Sequence, residues 1–65
     1  MMYIRGDWYK FGQAYFKFDF MDDFWYYSAV YYPNSKRTVI RNGSWKSPTV
    51  YQIPTMPDEM KAELL

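Results

Sequence analysis

The sequence predicts a β-rich α+β fold, a small antiparallel β-meander of four to five strands with a short C-terminal helix. Three observations predict it. Two stretches, 13–20 and 24–32, are dense in aromatic and β-branched residues, and the first alternates with the period of a half-buried strand. Turn-forming clusters separate the β-prone segments. The last residues change to an acidic, Met- and Leu-bearing pattern with helical spacing. An SH3-like small barrel, similar in length and strand number, is the alternative. At 65 residues the chain makes one domain, 1-65.

The elements follow in order. Met2 to Arg5 is a short β-prone piece, and Gly6-Asp7 signals a turn. Trp8 to Phe11 continues as a strand until Gly12 interrupts it with a bulge or bend. Gln13 to Phe20 places apolar residues at even positions and polar residues or Tyr at odd ones. Met21-Asp22-Asp23 is a turn, and Phe24 to Tyr32 is the next strand. Pro33-Asn34-Ser35 turns the chain into a strand from Lys36 to Arg41. Asn42-Gly43 is a strong hairpin signal, because a type I′ turn needs φ > 0 at both central residues. Ser44 to Ile53 is a last strand, which Pro48 confines to an edge or divides. Thr55 with Asp58 resembles a capping arrangement, and Met56, Met60, Leu64 and Leu65 line one stripe of a helix that covers the sheet.

Strand parity converts these elements into a functional expectation. With three-residue loops at 21–23 and 33–35 and a two-residue turn at 42–43, Phe16, Phe18, Phe20 and Phe24 share one face with Val30, Ile40 and Trp45. Tyr15, Trp25, Tyr27 and Tyr31 then lie on the other face with Lys17, Arg37, Arg41 and Lys46. A sheet needs one apolar face to fold. Sixteen of the 65 residues are Phe, Tyr or Trp, enough to give the second face surplus rings that call for a partner. Tyr, Trp and Arg are the residue types enriched at protein-binding hot spots, so those eight residues are the expected partner-binding set. The same face suits single-stranded nucleic acid, where bases stack on rings and phosphates meet cations. It also suits a homodimer or larger homo-oligomer.

Composition narrows the classes. The chain lacks both His and Cys, so the commonest general base and the thiol nucleophile are missing and no disulfide or thiolate metal site can form. No phosphate-binding Gly-rich loop occurs, and no enzyme activity, cofactor or metal is expected. Asp19, Asp22 and Asp23 form an acidic turn without the spacing of a calcium loop; it reads as a solvated turn or as a contact for a basic partner. Net charge is +1, but 33–53 holds four bases and no acid, which makes the chain dipolar. Asn42-Gly43-Ser44 matches a glycosylation sequon, and Arg5-Gly6-Asp7 matches the integrin-ligand tripeptide. The first is explained by the expected hairpin turn and the second is read as coincidence, since no secretion signal is visible at the N-terminus and no disulfide staples the loop. No run reaches membrane-spanning length, and a cytoplasmic location is expected. The functional expectation is therefore a non-catalytic interaction module, in the manner of a small viral or mobile-element inhibitor that occludes a host protein.

Overall fold

A computed structural model describes residues 3–46, 55–62 and 64. It is a four-stranded antiparallel sheet in the order β1-β2-β3-β4 with one short helix. The strands are β1 (Trp8–Phe11), β2 (Ala14–Met21), β3 (Phe24–Tyr32) and β4 (Arg37–Lys46), and the helix is α1 (Asp58–Lys61). Each strand pairs with its sequence neighbour, which is the connectivity of a meander. None of the described helices is long and apolar enough to cross a membrane.

Phe11 opposes Ala14 across a two-residue connection in which Gly12 takes φ 68°, so Gly12 closes a hairpin. Gly6 (φ 86°) lies in the expected turn, closed by Asp7 N donating to Ile4 O at 3.0 Å. Tyr3 to Arg5 form no strand; Met2 lies outside the described residues. Tyr3 instead lays its ring against Tyr9, Phe18 and Trp25.

The expected parity does not survive in β2 and β3. Phe16 opposes Val30, Phe18 opposes Tyr27, and Phe20 opposes Tyr26. Between Phe18 and Phe20 the second strand has one extra residue, Asp19. Between Phe18 and Phe16 the third strand has one extra residue near Ser28. These two bulges cancel along the ladder, but they turn over the segment between them. Trp25 and Tyr27 consequently join Phe16 and Phe18 on the same side. The expectation that Trp25 and Tyr27 face outward is corrected on this ground.

Two further turns differ from expectation. The β3–β4 connection has four residues, because Lys36 adopts φ 52° and Tyr32 pairs with Arg37. Val39, not Thr38, therefore lies opposite Val30. Asn42-Gly43 is no turn: β4 runs through it, with Gly43 opposite Tyr27 and Trp45 opposite Trp25. Gly43 has no Cβ to collide with the Tyr27 ring, which covers it. That ring contact uses glycine's missing side chain, whereas a hairpin would have used its backbone freedom. The proposed strand beyond Lys46 and the role of Pro48 lie outside the described residues.

The sheet buries two separate clusters. Tyr9, Ala14, Phe16, Phe18, Trp25, Tyr27 and Val30 form the first, with Tyr3, Tyr32 and Trp45 packed against it. Trp25 is wholly inaccessible at its centre. Phe11 on β1 meets Trp45 on β4 with ring centroids 4.4 Å apart, although the two are opposite edge strands. Four flat strands at about 4.8 Å spacing would hold them about 14 Å apart, so the sheet curls and this face is concave. The opposite, convex face carries Trp8, Tyr15, Ala29 and Tyr31, which are covered by Met56, with Met60 and Leu64 alongside. Met56, Met60 and Leu64 of the expected stripe thus cap one face, and Leu65 lies outside the described residues. The helix itself begins after Pro57, without a side-chain cap, so Thr55 does not cap it. Thr55 instead bridges to Tyr9, and Met56 N donates to Trp8 O at 3.1 Å. Lys61 Nζ to Asp7 Oδ1 at 2.8 Å pins the helix to the start of β1.

Candidate functional site

The eight expected partner-binding residues do not form one surface. Trp25 and Tyr27 are enclosed by the concave core, and Tyr15 and Tyr31 are enclosed beneath Met56. The physical reason differs for each pair: bulges rotate the first inward, and the C-terminal segment covers the second. Lys17 is half-buried, opposite Trp8. Arg37, Arg41 and Lys46 are exposed along β4, an edge strand of the sheet. Arg41 keeps an expected ring neighbour: its side-chain hydrogen bond to the Tyr27 phenol raises the guanidinium pKa.

A different set of rings stands in solvent. At the β2–β3 hairpin tip Phe20 is 51% exposed, Met21 44% and Phe24 39%. Phe20 stacks on Tyr26 with centroids 4.3 Å apart and planes 17° apart, and Phe24 adjoins Tyr26 at 6.4 Å. Phe20, and with it Tyr26 and Phe24 across the hairpin, is outward because Asp19 is the surplus residue of the β2 bulge: Phe18 points in, and Phe20, two positions later, points out. They stay uncovered because β1 ends its pairing near Lys17, and the Met56–Leu64 segment packs at the other end of the sheet. The sequence did contain a partial signal. Acidic Asp22-Asp23 marks a tip that reaches into water, and rings flanking such a tip project past the body of the sheet.

The tip is internally braced. Asp22 N donates to Phe24 O at 3.0 Å, and Phe24 N donates back to Asp22 Oδ1 at 2.8 Å. The Tyr26 hydroxyl donates to Asp22 Oδ2 at 3.3 Å. Arg5 Nε meets Asp19 Oδ1 at 3.1 Å on the rim. Desolvation raises the Tyr26 phenol pKa, and the charge of Asp22, its hydrogen bond and the charge of Asp23 push the same way. Three carboxylates, Asp19, Asp22 and Asp23, thus stand by the ring stack, with Arg5 on Asp19 and Lys46 cross-strand from Phe24 as the neighbouring bases. Between the ring stack and the facing stretch of β4 runs an open groove of about 410 Å³, lined by Asp19, Phe20, Tyr26, Tyr27, Asn42, Gly43 and Ser44. Among the described residues no group of three or more acidic side chains converges as a metal site would require.

The fold and this surface together define a small, curled, aromatic-cored β-meander with an acidic aromatic tip. Comparison with protein-family models, with curated proteins and with solved structures finds no match to the chain.

Proposed function

We propose that this chain is a non-catalytic protein-interaction module that engages its partner through the β2–β3 tip. One observation carries the reading: Phe20, stacked on a half-buried Tyr26 with Phe24 adjoining, is left in water by a fold that encloses most of the other described rings. Exposed, contiguous large apolar side chains on a small domain are unfavourable in water and mark contact surfaces. Aromatic anchors on a braced hairpin lose little conformational entropy on binding, which favours affinity. The single-stranded nucleic-acid reading has weaker support. It needs several bases and rings on one surface, whereas the exposed rings adjoin Asp19, Asp22 and Asp23, with Lys46 cross-strand from Phe24, and Arg37 and Arg41 lie farther along β4.

The test compares the native chain with a Phe20→Ser/Phe24→Ser variant in affinity capture from lysate, with and without nuclease. The expected result is a protein retained by the native chain, resistant to nuclease and lost with the variant, whose thermal melt is unchanged. Retention of the same proteins by the variant, or release by nuclease, would overturn the reading.

A further inference from the structure

We propose that the tip groove receives an arginine side chain from a basic, extended segment of the partner protein. This rests on the reading of the tip as a docking surface, and it adds the chemistry of the occupant. The groove has an aromatic wall, Phe20 stacked with Tyr26, and its lining adds the polar residues Asp19, Asn42 and Ser44. No lysine or arginine lines it. Arg41 on the neighbouring stretch of β4 gives its hydrogen bond to Tyr27. A planar guanidinium suits this composition: its face lies on a ring, and its edge donates to carboxylate and carbonyl oxygens. Charge complementarity points the same way. Asp22 and Asp23 adjoin the rings in the hairpin turn, Asp22 accepting from the Tyr26 hydroxyl, and together with Asp19 they outnumber the neighbouring bases Arg5 and Lys46. The Arg5 guanidinium already meets Asp19 at the rim, where its side chain is 82% exposed, so this carboxylate accepts such a group in water.

The experiment uses the full chain and a fluorescein-labelled peptide of alternating arginine and serine. Its control is the peptide with every arginine replaced by citrulline, which keeps the shape and removes the charge. The expected result is saturable binding of the arginine peptide, weakened by salt, with the citrulline peptide weaker by about tenfold or more. Amide chemical-shift changes should centre on 19–26 and 42–44. Asp19→Asn and Asp23→Asn, both at exposed or half-exposed positions, should each weaken the arginine peptide while leaving the thermal melt in place. Equal affinity for the two peptides, no binding, or shifts centred on Asp58 and Glu59 would overturn the proposal, as would preferential binding of an oligonucleotide at the tip. If the Phe20→Ser/Phe24→Ser variant loses its captured protein but the arginine peptide does not bind, the docking reading stands and the arginine proposal falls.

Discussion

The ring of Tyr27 lies directly over Gly43, so that a Cβ on Gly43 would collide with the tyrosine hydroxyl and come within 2.9 Å of Cε2. Gly43→Ala should therefore destabilise the fold by about 1–3 kcal/mol, the usual penalty of overpacking. Because the phenol oxygen is the nearest atom, Tyr27→Phe should relieve part of that loss. A urea-denaturation double-mutant cycle would read this as a favourable coupling between the two changes. Additive losses would mean that the ring does not sit on the glycine.

The Asp7–Lys61 pair gives stability a pH dependence at both ends. Partial burial works to raise the Asp7 carboxyl, but the hydrogen bonds from Lys61 and the Trp8 amide and the charge of Lys61 outweigh it and hold it below its ordinary value. A depressed carboxyl stabilises the fold above its unfolded value of about 4 and loses that contribution as pH falls through the folded value. Lys61 is raised, chiefly by its hydrogen bond to Asp7. Its contribution is complete below about pH 10 and is lost as pH rises through the folded value. Asp7→Asn should flatten both limbs of the urea midpoint plotted against pH. An unaltered profile would show that the pair contributes nothing in solution.

Rings of one chemical type should differ sharply in cost of removal. Trp25→Ala opens the centre of the concave core and should cost about 3–5 kcal/mol. Phe20→Ser, at the exposed tip, should stay within about 0.5 kcal/mol. Trp25→Phe should cost less than its lost volume suggests, because the buried indole N–H has no hydrogen-bond partner among the described residues. Chemical denaturation of the three variants checks the order, and a large loss from Phe20→Ser would contradict the outward placement of the tip.

Met56 is nearly inaccessible above Trp8, Tyr15, Ala29 and Tyr31. Met56→Ala should cost about 2–5 kcal/mol. Removal of 56–65 should uncover the convex rings, with a lower melting temperature and dye binding or association that the full chain does not show. A truncated chain that stays monomeric with an unchanged melt would mean the segment is not a cover.

The strands were legible because their signals are local. Residues 24–32 form a strand in sequence and structure alike, and the Met56, Met60, Leu64 stripe predicted the helix-bearing cover. Side assignment was not legible, because it depends on counting residues between paired positions. One surplus residue at Asp19, another near Ser28 and a fourth turn residue at Lys36 each change the count without changing composition. The Asn42-Gly43 signal failed for a tertiary reason: an aromatic ring from the adjacent strand needed the space that a glycine leaves. The tip surface was missed along with parity, since Phe20 and Phe24 were assigned to the interior that Trp25 and Tyr27 occupy.

The cancelling bulges also make the chain unevenly tolerant of changes in length. Losing one residue from a strand normally exchanges inside for outside along everything that follows. At Asp19 the neighbouring side chains already straddle an unmatched residue of β2, so excising it restores ordinary alternation and leaves every other residue on its own side, whereas excising Ser28 would close the gap to β2 but widen the surplus that β4 already carries there. Asp19 is thus the point where a single-codon deletion in the gene would be absorbed on both sides of its strand.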